Sequence, residues 1–397
     1  MDLRYSEEYE KFRQAARAFL ADNWPPPEDG SELGPRERAA RFRERAIECG
    51  YLARAFPRRY GGSEQEPDVL RGMVIRQEFG RVGAPMDVGV PGAQLMGTLL
   101  EHGTEEQKQR YLPASIRGEL AWCQGYSEPG SGSDLASVQT RAELVGDEWV
   151  VNGQKIWTSG AQQADMIYLL CRTEPDAGKH AGISYLLLDM KQPGIDVRPL
   201  RQMDGTGHFS EVFFDDARTP ADQLVGKRGE GWLVSRSTLK HERNTVGDLQ
   251  MYHRHLENLV ELARTTIRGG RPALEDPTIR QRLAELDGYV KVMEYSGYRQ
   301  LTCSARGEDP GTVVPMNRLA TTKIEFLVAN LGLELIGDSG LEAPSRMPFG
   351  DTAGSWARQY MWVRAYAIAG GASNIQRNII GERALGLPRD FAAQKSR

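Results

Sequence analysis

Residues 122–160, WCQGYSEPGSGSDLASVQTRAELVGDEWVVNGQKIWTSG, carry the chain out of a helical pattern and into short strands. The second half alternates apolar and polar residues. It holds two turn signals, Gly146–Asp147 and Asn152–Gly153, of the kind that closes tight hairpins. MIYLLCRT (166–173), GISYLLLDM (182–190), GIDVRPL (194–200) and FSEVFFDDAR (209–218) continue as strand-like runs with turn residues between them. No helical pattern separates these runs. The region therefore reads as a compact antiparallel barrel or sandwich and not as alternating β-α units.

On either side the period returns to that of a helix. EEYEKFRQAARAFLADNW (7–24) sets Tyr9, Phe12, Ala16, Phe19 and Leu20 on one stripe. Residues 67–83 and 91–118 keep the same spacing, and Thr104 followed by Glu105, Glu106 and Gln107 reads as a capping box. Beyond 225, residues 231–267 place Leu249, Leu256, Leu259, Val260 and Ala263 on one side, and 277–305 and 313–337 are further helical stretches. The expected architecture is α+β and multidomain: an N-terminal helical domain (1–120), a central β domain (121–224) and a C-terminal domain resembling a four-helix bundle (225–397).

The 397 residues, 40% hydrophobic and 26% charged, suffice for a large core divided among domains. Net charge is −4 with no long basic run, which argues against nucleic acid as a partner. The opening MDLRYSEEYEKFRQAARAFL is charged and amphipathic, without a signal core. No stretch reaches the roughly 18 apolar residues of a spanning helix, so no membrane partner is expected. Cys49, Cys123, Cys171 and Cys303 are scattered without CxxC pairing, as for reduced thiols in a cytoplasmic protein. His253 and His255 are two apart on a helix, on different faces, and read as a solvated surface and not a metal site.

Three segments carry candidate chemistry. In residues 125–133, Gly125, Gly130 and Gly132 with Ser127, Ser131 and Ser133 form a small-residue loop whose amides can turn toward a phosphate. It lacks the Lys-Ser or Lys-Thr of a P-loop and the β-α unit of a dinucleotide fingerprint, and on composition alone it is also an ordinary loop. In NGQKIWTSGAQQAD (152–165), Trp157 with Thr158 and Ser159 offers an aromatic face and hydroxyls to a flat cofactor, or packs on its own barrel rim. In AYAIAGGASNIQRNIIGERALG (365–386), Gly370–Gly371 breaks a helix. The break is either a turn with Ser373 capping a helix from Asn374, or a place where backbone passes close to a ligand.

YSEPGSGSD (126–134) followed by NGQKIWTSGA (152–161), with IQRNIIGERALGLP (375–388) near the C-terminus, closely resembles the acyl-CoA dehydrogenase family. The resemblance covers nearly the whole chain. It implies FAD bound between the β domain and the C-terminal bundle, and an acyl-CoA from which a carboxylate takes the α-proton while flavin N5 receives the β-hydride. It implies that Tyr126 and Ser127 meet the flavin pyrimidine edge, that Trp157 packs on the isoalloxazine and that Ser159 approaches N5, with Thr158 beside them. Gly132 and Ser133 fall where the family meets the pyrophosphate or pantetheine. ELIGDSG (334–340), with Glu334 and Gly337, matches the segment that reaches a neighbouring subunit's FAD, and Arg264 is the best match for an Arg that does the same. Glu334 departs from the usual Gln, since a carboxylate repels a pyrophosphate. The aromatic expected after Arg264 is absent, and Ala372 and Asn374 replace common cofactor-bonding residues.

Many members carry the catalytic Glu where this chain has Gly370. Long-chain and isovaleryl-type members carry it instead on a central helix of the bundle, immediately before an Arg. LKHERNTVG (239–247) matches that pattern with Glu242 and Arg243, and Lys240 stands where some members have an acidic residue holding CoA. The resemblance thus makes Glu242 the base and Arg243, Gly370, Gly371 and Ser133 substrate-binding. It further implies an electron-transfer flavoprotein as acceptor, a homotetramer or heterotetramer, and a place in fatty-acid or lipid catabolism. A non-catalytic subunit of a heterotetramer and a same-fold flavin oxidase or monooxygenase are the competing readings.

Overall fold

A computed structural model describes residues 5–24, 34–86, 90–243, 249–341 and 353–389. The chain forms two compact units: residues 1–201 with 207–244, and residues 202–206 with 245–397.

Among the described residues the first unit opens with the helices α1 (Glu7–Asn23), α2 (Pro35–Glu48), α3 (Val69–Arg81), α4 (Val90–His102) and α5 (Glu105–Arg117). The stripe on α1 buries Ala16, Phe19 and Leu20, with Phe19 and Leu20 packing against Phe42, Ile75 and Phe79. The expected capping box is present: Gln107 N–H donates to Thr104 Oγ1 at 3.2 Å, and Thr104 N–H to Gln107 Oε1 at 3.1 Å.

Seven strands follow: β1 (Trp122–Gly125), β2 (Arg141–Val145), β3 (Glu148–Ser159), β4 (Met166–Arg172), β5 (Ile183–Asp189), β6 (Ile195–Leu200) and β7 (Phe209–Pro220). They form one sheet in the order β1-β4-β2-β3-β7-β6, with β5 also on β4. Most pairs are antiparallel, but β1 runs parallel to β4 and β2 meets β4 in a single parallel bridge. Parallel neighbours need a long connection, and here the loop after β1 and the β2–β3 hairpin intervene. Gly146 and Asp147 close that hairpin between the paired Val145 and Glu148. Asn152–Gly153 does not form the second expected turn: both lie inside β3, at a register irregularity. A Cβ on Gly153 would lie 2.7 Å from Thr140 Cα, so glycine at φ +147° lets the two backbones approach.

Strand β4 explains the continuous apolar runs. Ile167, Leu169 and Cys171 face one core with Trp149, Val151, Leu186, Leu188, Val212 and Phe214. Tyr168 and Leu170 face another with Leu95, Leu99, Leu112, Tyr185, Leu187 and Val234. A strand covered on both faces loses the polar alternation of a half-exposed one, and each buried Leu or Ile contributes about 2 kcal/mol. Helix α6 (Gly231–Arg243) completes this unit.

The second unit holds α7 (Leu249–Thr265), a small hairpin of β8 (Ile267–Arg268) and β9 (Arg271–Pro272), α8 (Pro277–Ala305), α9 (Val313–Ile336), α10 (Ala353–Trp362) and α11 (Ser373–Ile379). Its core gathers Leu259, Ala263, Leu286, Val290, Ile324, Val328, Leu331 and Trp356. Two expectations change here. Helix α11 begins at Ser373 with Ala372 as its cap residue, so Ser373 caps nothing. His255 is buried and not solvated, its ring 3.7 Å from the Glu325 carboxylate across the bundle. Among the described residues no helix is long and apolar enough to cross a membrane, and no His, Cys, Asp and Glu group has metal-ligand geometry.

Candidate active site

In the first unit the two motif segments are joined by direct bonds. Gly125 ends β1 where a Cβ would meet Ile167 and Leu169 side chains at 2.8 Å. The chain then turns tightly: Glu128 N–H donates to Ser131 C=O at 2.8 Å and Ser131 N–H returns to Glu128 C=O at 3.0 Å. Lys155, wholly buried on β3, reaches back to this loop. Its Nζ donates to Tyr126 C=O at 3.0 Å and to Glu128 Oε1 at 2.7 Å. Glu128 also accepts the Gln139 and Thr140 amides at 2.6 and 2.9 Å. Burial alone would push the Glu128 carboxyl up, but the Lys155 charge and these hydrogen bonds hold it below the usual carboxylate range. Burial draws the Lys155 ammonium below its ordinary value, with Glu128 opposing. A buried pair of this kind stabilises only when further hydrogen bonds support it; here Tyr126 C=O supports the ammonium and two backbone amides the carboxylate.

One residue on, the Ile156 amide donates to Ser127 C=O at 2.9 Å. That amide is released because β3 bulges between Lys155 and Thr158 against β7. The bulge sets Trp157 at φ +61°, a left-handed backbone that a bulky aromatic rarely adopts. The residue stays 58% exposed, its ring meeting Phe209 edge-on at 5.9 Å. Bulges re-aim side chains beside functional sites, and strained residues persist where surrounding bonds over-determine them. Ser159 is exposed, and its hydroxyl bonds no group among the described residues. Tyr126 is buried against Tyr168 and Tyr185, Ser127 is half-buried, and Gly132 and Ser133 are exposed on the loop.

The structure therefore joins the segment of Tyr126 and Ser127 to the segment of Trp157 and Ser159 through Lys155 and Ile156. It sets Thr158 apart. The Thr158 side chain is buried, opposite Ser210 on β7, and its hydroxyl bonds no group among the described residues. Glu242 and Arg243 lie in the last turn of α6, and their side chains, with that of Lys240, fall outside the described ones.

The remaining candidates belong to the second unit. Arg264 pairs with Glu261 one turn away on α7. Glu334 is held by two guanidiniums: Arg268 at 3.2 Å on one carboxylate oxygen and Arg282 on the other. These, Arg282 first, hold its carboxyl below the usual range. Gly337 ends α9 at φ +56°. Gly370 and Gly371 adopt φ +61° and +92°, and both are exposed. Ala372 offers α11 no side-chain cap, and Asn374 Oδ1 accepts from Arg377 at 3.1 Å. Two functional candidates had escaped sequence reasoning: Arg318, which bonds the backbone before Gly370, and Glu325, a carboxylate buried in the bundle.

Comparison with known proteins fixes the family. Models of the N-terminal, middle and C-terminal domains of acyl-CoA dehydrogenases match residues 6–119, 123–217 and 229–385. The chain is 40% identical to acyl-CoA dehydrogenase IpdE1 of Mycobacterium tuberculosis over 97% of this chain and 99% of that one. Two solved structures are similar over 98% of this chain and 100% of theirs, each at 29% identity. One is the Tcur3481-Tcur3483 steroid ACAD (TM-score 0.80), the other the ChsE4-ChsE5 complex from Mycobacterium tuberculosis (TM-score 0.79). The chain belongs to the acyl-CoA dehydrogenase family. It is an acyl-CoA dehydrogenase, an FAD-dependent oxidoreductase. Its residues fit that cofactor: Trp157 is exposed, leaving a face that a flat ring system could cover, and the Ser159 hydroxyl has no protein partner among the described residues.

Proposed function

We propose that the chain removes a proton and a hydride from adjacent carbons of an acyl-CoA thioester, with Glu242 as the base. The observation that supports this reading is Trp157, exposed at a strained left-handed position and tied through Lys155 and Ile156 to the Tyr126–Glu128 loop. FAD, when bound, supplies the hydride acceptor. Trp157 supplies an apolar face that excludes water, and the Ser127 and Ser159 hydroxyls orient hydrogen-bonding edges. Glu242 takes the α-proton, and the bonding pair left at Cα closes the double bond as the β-hydrogen departs with its own pair.

An α-proton beside a thioester is only weakly acidic. Its carbonyl oxygen must be polarised, and backbone amides at Gly370 and Gly371 are the donors the family's pattern assigns; one such donor is typically worth about 3 kcal/mol. Electrons leave to an electron-transfer flavoprotein. Steroid-derived thioesters are the first acyl groups to try, given the likeness to the Tcur3481-Tcur3483 steroid ACAD.

A second reading, in which the chain works only within a heteromer, is favoured by the two-component names of both similar structures. It is also favoured by α11, none of whose residues is buried, and by exposed Leu385 and Leu387 after it. Anaerobic titration with a panel of acyl-CoAs tests the catalytic reading. The wild-type chain should be yellow and bleach with one of them. Glu242→Gln should keep FAD and substrate but slow bleaching by at least the 10²–10⁴-fold typical of a lost general base. Wild-type bleaching rates in Glu242→Gln would remove Glu242 from the reaction. Bleaching that requires a co-expressed second chain would favour the heteromer.

A further inference from the structure

We infer that Arg318 is a positioning residue that fixes the backbone of the Gly370–Gly371 segment. The inference rests on the proposed substrate role of that segment.

After α10 the chain tightens through Val363–Ala367 and then turns away at the two left-handed glycines. In a continuing α-helix, Tyr366 C=O and Ala369 C=O would each accept an amide four residues on. The turn at Gly370 and Gly371 removes those donors, leaving carbonyls orphaned at the end of a helical segment. Arg318, on α9, replaces them. Its Nη2 donates to Tyr366 C=O at 2.7 Å and also to Ala369 C=O, so the two hydrogens of one nitrogen meet two carbonyls. Thr322, one turn further along α9, adds its hydroxyl to Tyr366 C=O at 3.0 Å, sharing its one proton with Arg318 C=O at 3.1 Å. Among the described residues no carboxylate pairs with Arg318; its charge is directed at backbone oxygens.

The consequence falls on the next two residues. Ile368 and Ala369 amides still bond Ala365 C=O, at 3.0 and 2.8 Å. The Gly370 and Gly371 amides donate to no group among the described residues. Two adjacent N–H groups, on exposed residues, thus follow directly on a backbone held by a cation. Glycine alone would let this segment sample many conformations, because it has no Cβ to restrict it. The Arg318 fork, planar and pre-organised, supplies the restriction from another helix. Preorganised donors are what a developing oxyanion requires.

The test compares Arg318→Met, Arg318→Lys and Thr322→Val in the FAD-loaded protein, by hydrogen exchange and by single-turnover flavin reduction with an acyl-CoA that bleaches the wild type. In Arg318→Met the Ile368 and Ala369 amides should exchange at least tenfold faster. Reduction should slow at least tenfold while FAD content and the acyl-CoA half-saturation change less than threefold. Arg318→Lys should recover part of both, and Thr322→Val should show the same pattern more weakly. Unchanged exchange at Ile368 and Ala369 in Arg318→Met overturns the pinning. Faster exchange with unchanged reduction overturns its functional consequence. If no acyl-CoA bleaches the wild type, the proposed function falls, and the exchange measurement still decides whether Arg318 holds the segment.

Discussion

Replacing Glu325 with Gln should stabilise the protein above neutral pH and leave it little changed in acid. Glu325 lies on α9, fully buried. Its Oε2 accepts from Gln359 Nε2 at 2.7 Å, while Oε1 makes no hydrogen bond among the described residues. The nearest cationic candidate, His255 Nδ1, is 3.7 Å away, beyond hydrogen-bond reach. Burial without a close cation pushes this carboxyl from 4.5 up to about 7, against the smaller opposing effect of Gln359. Burial, with Glu325 next, also pushes the neighbouring Tyr366 hydroxyl up. A group whose folded value is raised contributes its full stability below the unfolded value and loses it as pH climbs through the folded one. The wild-type protein therefore loses stability between about pH 4.5 and 7 as the folded state resists ionisation. At 1.36 kcal/mol per pH unit, the interval from 4.5 to about 7 corresponds to a loss of about 3 kcal/mol. Gln keeps the acceptor for Gln359 and carries no charge to desolvate. Urea unfolding of both proteins from pH 5 to 8.5 should show the Gln variant gaining on wild type by about 3 kcal/mol, in order of magnitude, across that range. A pH-independent difference would refute the argument. A Gln variant less stable than wild type at pH 8 would mean that Glu325 is ionised there and paired with a protonated His255.

Other outcomes follow from the first unit. Lys155→Met leaves Glu128 buried without its cation and should cost 3–5 kcal/mol, on the order seen when one partner of a buried pair is removed. It should also weaken FAD binding, since Lys155 holds Tyr126 C=O; a loss under 1 kcal/mol with unchanged FAD affinity contradicts the assigned role. Trp157→Ala should raise the FAD dissociation constant, and Ser159→Ala should shift the flavin absorption bands. Fluorescence titration and visible spectra check both, and two unchanged variants would return this face of β3 to a structural role.

The layout of helices, strands and helices was legible because periodicity survives without knowledge of partners. The β2–β3 hairpin was legible because Gly146–Asp147 sits between two alternating runs. Asn152–Gly153 misled for a physical reason: the same left-handed tolerance serves a hairpin tip and a bulge, and only the approach of Thr140, distant in sequence, selects the bulge. Thr158 differs from its neighbours in a way the motif does not show: the bulge before it leaves Trp157 exposed while the Thr158 side chain is buried opposite Ser210. Glu325 did leave a signal. It interrupts the apolar run of α9 at helical spacing from Ala329 and Gly332, both on the buried side. A carboxylate on such a stripe is either paired or shifted.

Glu334 shows how a local departure is offset from elsewhere in the chain. In sequence it sets a negative charge where an uncharged residue is expected beside a phosphate-binding segment. In the structure one carboxylate is shared by Arg268 and Arg282, contributed by the β8–β9 hairpin and α8. One negative charge and two positive ones leave the cluster with an excess positive charge, so its net field attracts an anion. Arg268 also belongs to the stretch after Arg264 that lacks the expected aromatic. The stretch after Arg264 and the Glu334 segment are thus bonded to each other through Arg268. In the sequence the two are unconnected because the residues that neutralise Glu334 lie on other elements, and charge compensation across a helix bundle has no period to read.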